Sequence, residues 1–314
     1  MDFPIAEYMD DDACDAKIVA VLHPGGLVCP RCGIGDRLKV HRRHRAPIID
    51  YRCGACGRVF NAFTGTEFHK THRRPWEILL ILRGISQGTS TAQLARELNR
   101  HRPHLLRLRH RLQARAIEAA DSSPLADDAE VEADEMDQNA GEKGILHADP
   151  DDPPRRRANK RRGHGNFAND RPPVAGVAGR DSGQLRTRVV KRTDRATLES
   201  FVSDSARPGA MISSDELSSY ARLKELGFGH ATVCHVAHEW ARDDDGDGIR
   251  EVHDNTLEGI WTGLRNYLRI FRGVSKHDRA QYVAVFLWSY NIKAVTDGFL
   301  RILMRTRTVT VLRT

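Results

Sequence analysis

Residues 131–136 read VEADEM, a short run in which apolar and acidic side chains alternate. In a β-strand this alternation places Asp134 on the same face as Glu132 and Met136. A carboxylate held in a strand among apolar neighbours is costly unless a cation or a hydrogen-bond donor compensates it. Asp134 is therefore a candidate site residue, although an edge strand with ordinary solvated acids fits this segment equally well.

Strand-like and helical patterns follow this run along the chain. They lie at residues 173–178, 186–190, 195–202, 210–213 and 217–226. Strands interleaved with helices predict a mixed α/β domain over residues 131–291, entered through a linker at 120–130. Between the first two strands, PPRRRANKRRGHGN at 153–166 is a basic loop containing Pro and Gly, and we expect it to meet phosphate.

A second acidic candidate follows another apolar run. The sequence MISSDELSSYARL places Asp215 where a predicted strand ends and a predicted helix begins near Leu217. The ends of strands are the usual place for site chemistry in α/β folds. The alternative is that Ser213, Ser214 or Asp215 simply caps that helix.

The third acidic candidate lies in HDNTLEGIWTGLRNYL, which begins at His253 and predicts a helix from about Thr256. Its apolar stripe leaves Glu258 and Arg265, seven residues apart, on a neighbouring face. A carboxylate there suits a metal ion, and the arginine suits a substrate phosphate bound through two parallel hydrogen bonds. The alternatives are solvated surface charges for that pair, and a supporting or helix-capping role for His253 and Asn255.

Four of the six cysteines form two C-x-x-C pairs, each followed by a glycine that lets backbone amides turn toward the thiolates. The pairs are Cys29 with Cys32 and Cys53 with Cys56. Four thiolates at this spacing suit tetrahedral Zn²⁺. The sequence therefore predicts a zinc ribbon over residues 27–63, with strands at 38–41 and 50–52.

The region at 64–119 predicts helices. One follows Pro75 and ends at Gly88, and STAQLARELNRHRPHLLRLRHRLQARA, from Ser90, reads as helix, turn and helix with Ser90 or Thr91 as the first cap. Such a helix-turn-helix could read a DNA groove, although many helical hairpins carry solvated arginines. The candidate DNA-binding residues are Arg100, Arg102, Arg107, Arg109 and Arg111.

Charge is distributed unevenly along the 314 residues, whose net charge is +7. Residues 31–115 hold nineteen Lys/Arg against five Asp/Glu, whereas residues 121–142 hold nine acids and no base. A basic front before an acidic centre is suited to a nucleic-acid enzyme. A hydrophobic content of 40% disfavours disorder throughout, and no run of eighteen apolar residues is present. With an acidic N-terminal extension at 1–26, we expect a soluble cytoplasmic protein without membrane partners.

The order and spacing of these motifs resemble the ISXO2-like zinc-ribbon DDE transposases of bacterial insertion sequences. The matching segments are CPRCG, YRCGACGRVFNAFTGTEFH, EADE, VAGVAGRDSG, ISSDELSSYARL, HDNTLEGIW and GVSKHDRAQYVAVFLWSYN. The resemblance implies an RNase H-like α/β fold for residues 131–291, with a C-terminal tail at 292–314. It also implies that Asp134, Asp215 and Glu258 are catalytic acids that bind Mg²⁺ or Mn²⁺, with Arg265 beside them.

By this resemblance the chain cleaves DNA at transposon ends and transfers the strand to target DNA, both by phosphoryl transfer. Its partners are the terminal inverted repeats and target DNA, bound by a dimer or higher multimer at the nucleoid of a prokaryotic host. A non-catalytic DNA-binding regulator and a simple nuclease of the same fold are the alternatives. The acidic insert ARDDDGDGIRE departs from the family pattern. Asn255 remains an alternative to Glu258 as the third metal ligand.

Overall fold

The computed structural model describes residues 10–120, 122–140, 165–234, 237–244, 246–292 and 296–305. The chain divides into two compact units. The first contains Met1–Ala119 and Ile292–Thr314, and the second contains Ala120–Asn291. Among the described helices, none combines the length and apolar character needed to cross a membrane. The predicted basic loop at 153–166 lies almost wholly outside the described residues.

Each unit combines helices with strands. The first unit contains α1 (Asp11–Leu22), β1 (Leu38–Arg45), β2 (Ile48–Cys53), β3 (Val59–Phe60), α2 (Pro75–Ser86), α3 (Thr91–Glu97) and α4 (Arg102–Glu118). The second contains β4 (Glu130–Asp137), β5 (Pro173–Gly179), β6 (Leu185–Val189), α5 (Arg195–Ser205), β7 (Met211–Asp215), β8 (Gly229–Val233), β9 (Ala241–Arg242), β10 (Val252–His253), α6 (Asn255–Arg269) and α7 (Arg279–Ile292). The last helix, α8 (Asp297–Met304), packs on α1 and α4 in the first unit.

The first unit combines a small sheet with packed helices. Strands β1, β2 and β3 form an antiparallel sheet, where sequence alternation predicts the two longer strands. The side chain of Ser90 caps α3 by accepting a hydrogen bond from the amide of Gln93 (3.2 Å), as expected for this residue before a helix. Helix α4 then buries Leu105, Leu108 and Leu112 on one side. Helices α3 and α4 contact each other in the region where the sequence predicts helix, turn and helix.

The second unit is built on a five-stranded mixed sheet with the order β6-β5-β4-β7-β8. Strand β4 is central, antiparallel to β5 and parallel to β7. Helix α5 contributes to the apolar core on one face, and α6 and α7 contribute to the core on the other. Strands β4, β5 and β6 form an antiparallel meander, and β7 and β8 add to it in parallel beside β4. This is the RNase H-like α/β arrangement, and the predicted fold class is confirmed.

The helix expected at residues 217–226 is wrong. A single 3₁₀ turn at Ser218–Tyr220 is followed by further turns up to Gly227. Leu217, Tyr220 and Leu223 pack on the sheet core and lie three residues apart. That spacing suits the threefold period of a 3₁₀ turn better than the 3.6-residue period of an α-helix.

Candidate active site and metal centre

Asp134 and Asp215 lie at the same level of two adjacent parallel strands. The pairing of β4 with β7 sets Ala133 opposite Ser214, so the next residue of each strand is one of the two aspartates. The charge of Asp215 raises the pKa of Asp134, which shows that the two carboxylates interact. The structure thus brings together two of the three predicted catalytic acids.

Asp134 occupies an unfavourable site for a bare negative charge. Burial, together with the charges of Asp215 and Asp254, raises its pKa to about 7. Two hydrogen bonds oppose this rise: the indole Nε1–H of Trp261 donates to Asp134 Oδ2 (2.7 Å), and the other involves the backbone of Glu135. A bound cation would favour the ionised carboxylate and relieve the repulsion between the aspartates.

The second carboxyl group that acts on Asp134 belongs to Asp254, which is not among the acids predicted from the sequence to be catalytic. Asp254 is 1% exposed and occupies the residue before α6. Glu258 lies in the first turn of that helix and, like Arg265, is exposed. In the described segments only the four cysteines bring three or more potential ligand atoms together, so the predicted triad of acids does not converge in this way.

A second buried acid, Glu132, fixes the start of α6. Its carboxylate accepts hydrogen bonds from the amides of Thr256 (2.9 Å) and Leu257 (3.1 Å), and from the Thr256 hydroxyl (2.7 Å). These bonds satisfy donors that a helix N-terminus leaves without partners inside the helix. Asn255 was an expected cap for this helix, but it is the first helical residue, and a side chain from β4 performs the capping instead.

An arginine and a histidine complete the surroundings of Glu132. Arg180 Nε lies 3.4 Å and His253 Nδ1 3.2 Å from Glu132 Oε1. Arg180 also donates to the carbonyl oxygen of His253 (2.8 Å), which holds the strand before α6. Helix α6 is therefore tied to β4 at Glu132 and again through the bond of Trp261 to the strand, with Glu258 between the two points.

The opposite face of β4 carries another buried acid. The hydroxyl of Tyr220 donates to Glu135 Oε2 (2.8 Å). Burial raises the pKa of Glu135 to about 8, the charge of Asp134 adds to the rise, and the tyrosine hydrogen bond opposes it. Consecutive acids thus lie on opposite faces of the central strand, and the charge of Asp134 discourages ionisation of Glu135.

The four paired cysteines fit a zinc ion. All four Sγ atoms lie within 4.8 Å of one another, with separations of 3.5 Å for Cys29–Cys56 and 3.6 Å for Cys32–Cys53. Tetrahedral Zn–S bonds of about 2.3 Å require sulfur atoms roughly 3.8 Å apart. Gly33 and Gly57, which follow the two pairs, adopt positive φ angles of 75° and 72°, the backbone role expected of them.

The predicted DNA-binding arginines divide into two groups. Arg109 is 1% exposed and its guanidinium donates to the carbonyl of Thr89, while Arg100 makes a bidentate pair with the buried carboxylate of Glu77 (2.9 and 2.8 Å). These contacts remove Arg109 from the candidate surface and give Arg100 a structural partner. The other members of the set remain exposed on α4, namely Arg102, Arg107 and Arg111.

Comparison with known proteins gives three findings. Residues 144–291 match the ISXO2-like transposase domain, a range that includes Asp215, Glu258 and Arg265 and begins after Asp134. The chain is 28% identical over 286 residues to an uncharacterized protein in transposable element ISH50 of Halobacterium salinarum, covering 90% of this chain and 92% of that protein. A chain of the simian T-cell lymphotropic virus intasome in complex with PP2A regulatory subunit B56 gamma is 15% identical with a TM-score of 0.32, covering 69% of each chain. Residues 144–291 are thus similar to the ISXO2-like transposase domain, and most of the chain is similar to a protein of a transposable element.

Proposed function

We propose that this chain is a transposase that cuts DNA at the ends of its insertion sequence and joins the freed 3′-hydroxyl to target DNA. The observation that carries the proposal is the pair formed by Asp134 and Asp215 on adjacent strands, where burial and mutual repulsion call for a cation. Both steps are phosphoryl transfers, so one site serves for cutting and joining and no covalent protein nucleophile is needed.

Mg²⁺ or Mn²⁺ fits the donor set, because carboxylate oxygens are the ligands that these hard cations prefer. When bound, such ions would activate the attacking oxygen and stabilise the leaving oxygen. Asp134 and Asp215 would hold them, and Trp261 orients Asp134 through one carboxylate oxygen. Glu258 would supply the third ligand as a carboxylate, and the alternative third ligand is the side-chain amide of Asn255.

The remaining charged groups act on the DNA. Arg265 is exposed on the same helix as Glu258 and binds a phosphate of the reacting strand. The zinc ribbon and the α3–α4 hairpin bind the terminal inverted repeats, the hairpin through the exposed arginines of α4, which are Arg102, Arg107 and Arg111. Two ends must be held together for joining, so the active form on the nucleoid DNA of its host is at least a homodimer.

One observation favours a second function, that of a DNA-binding regulator without catalysis. The carboxylate of Glu258 does not converge with those of Asp134 and Asp215 among the described residues. Such a regulator binds the ends of the element and leaves them intact, whereas a simple nuclease of this fold cuts them without joining.

A single assay separates these functions. Labelled duplexes carrying the edges of the element are incubated with the protein, a supercoiled target plasmid and Mn²⁺. The transposase yields a cut end and a plasmid joined to the label, the nuclease yields only the cut end, and the regulator yields only a gel shift. Glu258→Gln and Asn255→Ala then assign the third ligand. We expect the first to abolish cutting and the second to retain it, and the reverse pattern would give the role to Asn255.

A further inference from the structure

A basic groove in the first unit runs between residues 67–73 and helix α4. One part has a cavity volume of about 280 Å³, and the adjoining part, of about 310 Å³, shares Thr71, Arg73 and His104 with it. The basic side chains that line the two walls are His69, His72 and Arg73 on one side and Arg100, His104, Arg107 and Arg111 on the other.

The positive charge of this groove exceeds the negative charge around it. Arg73 and Arg100 share the single buried carboxylate of Glu77. Arg111 lies 3.1 Å from the carboxylate of Glu67, which also lies 3.5 Å from Arg115. Glu77 therefore cannot neutralise both of its partners, whereas Arg115 has a second acid in Glu118 (2.8 Å).

Arg107 is the most available of these cations. It is exposed, and among the described residues its guanidinium has no ion-pair partner. His104 and Arg111 lie three residues before it and four residues after it on α4, so the three side chains share one helix face. That face forms one wall of the groove.

The opposite wall is held in place by the zinc ribbon. Arg45, at the end of β1, donates a hydrogen bond to the carbonyl oxygen of Thr71 (2.5 Å). Arg73, in the same wall, is held by its ion pair with Glu77. Both walls are thus fixed before any ligand arrives, as a site that binds without rearrangement requires.

We propose that this groove binds the sugar–phosphate backbone of duplex DNA. Small-molecule pockets are mostly apolar, whereas Phe68 and Leu108 are the only large apolar residues lining this groove. Guanidinium groups match phosphate oxygens in fork geometry. Backbone phosphates carry no sequence information, so the groove positions the DNA and does not select its sequence. The inference rests on the proposed function only in taking DNA as the ligand.

The test compares Arg107→Ala with Arg96→Ala in the full-length, zinc-loaded chain. Arg96 is an exposed arginine of α3 outside the groove, so both variants lose one charge from the same unit. Binding of a fluorescein-labelled duplex of random sequence is followed by anisotropy from low salt to physiological salt (~0.15 M). Arg107→Ala should weaken binding about tenfold and reduce the salt slope of log K by about 0.9, and Arg96→Ala should do neither.

Two outcomes overturn the proposal. In the first, the two variants weaken binding equally, which would make the effect one of net charge. In the second, Arg107→Ala weakens binding only to duplexes from the edges of the element, which would mean that the groove reads bases. A further variant, His69→Glu, places a negative charge on the opposite wall and should also weaken binding to both duplexes. None of these readouts requires cleavage, so a wild-type protein that binds through the groove but never cuts would refute the proposed function alone.

Discussion

Two carboxylates on the same face of strand β4 lie in opposite surroundings. Glu132, toward the start of the strand, has no exposed surface and is surrounded by donors from Thr256, Leu257 and Arg180. Asp134, two residues later on the same face, has one side-chain donor in Trp261 and is repelled by other carboxylates. A carboxylate with several donors stabilises the fold, whereas one held among like charges is a group whose ionised form a bound cation would stabilise, as the proposed function requires.

The first prediction concerns Asp134, the carboxylate with few hydrogen-bond donors. Asp134→Asn keeps an oxygen that can accept the Trp261 hydrogen bond but removes the charge that binds metal. We expect Mn²⁺-dependent cutting of labelled end DNA to fall at least about 1000-fold, a barrier increase of roughly 4 kcal/mol. Binding of the same DNA should persist within about twofold, since roughly 0.4 kcal/mol separates twofold affinities.

The matched control is Glu130→Gln, because Glu130 lies on the same strand with its side chain 48% exposed. Its cutting rate should equal that of the wild type. Equal losses of cutting rate in the two variants would mean that negative charge anywhere on β4 matters. The contrast between Glu132 and Asp134 would then have no catalytic meaning.

The second prediction concerns Glu132, the carboxylate surrounded by hydrogen-bond donors. Glu132→Ala leaves Arg180 beside two amides of α6 that have lost their acceptor, so the free energy of unfolding should fall by about 3–5 kcal/mol. Urea denaturation measures it. Glu132→Gln can still accept the helix amides and should lose less than the alanine variant. Glu130→Ala, which removes an exposed partner of the same arginine, should cost under about 1 kcal/mol.

The third prediction uses pH to distinguish the two acids. In zinc-loaded, magnesium-free protein the pKa of Asp134 is about 7, against roughly 3.9 in the unfolded chain. The folded state holds this proton more tightly, so the stabilisation is complete below the unfolded pKa and is lost as pH rises through the folded pKa. Asp134→Asn does not titrate, so its stability relative to wild type should increase between about pH 4 and pH 7 and then level off.

The size of that increase should be on the order of 2–4 kcal/mol, since each unit of pKa shift corresponds to about 1.4 kcal/mol. Added Mg²⁺ should narrow the gap, because only the aspartate binds it. A difference between the variants that stays constant across this pH range would contradict the placement of Asp134 in a charge-repelling site.

The sequence predicts each of these acids but not the difference between them. Alternation in VEADEM is enough to predict the strand and the shared face of Glu132 and Asp134. The partners of Glu132 come from a helix 124 residues later in the chain, and no local pattern indicates which turn of that helix lies beside which strand residue. The same limit applies to Asp254, whose effect on Asp134 depends on how α6 packs.

Other differences have local physical causes. Arg109 belongs to an arginine-rich helix, and only the packing of that helix shows that its guanidinium is buried against the carbonyl of Thr89. The apolar residues at 217–226 favour a helix by their number. The buried ones are three residues apart, which suits the 3₁₀ turn that forms there. The Ser90 cap and the cysteine spacing are readable from sequence because they depend on neighbours along the chain, whereas the acceptor for the first amides of α6 comes from a distant strand.

The last prediction concerns the space that lets Trp261 reach Asp134. Gly176 pairs with Asp134 across β4 and β5, and a Cβ atom added to it would lie 2.5 Å from the Trp261 ring. Gly176→Ala should therefore push the indole away and destabilise the protein by about 1–3 kcal/mol. Gly259→Ala, in open space on α6, is the control and should stabilise by roughly 0.5–1 kcal/mol through helix propensity. Thermal unfolding compares the two, and fluorine NMR of 5-fluorotryptophan at Trp261 should shift in the first variant and remain unchanged in the second. If both alanines were tolerated equally, the close contact between β5 and the indole would not be needed to orient Asp134.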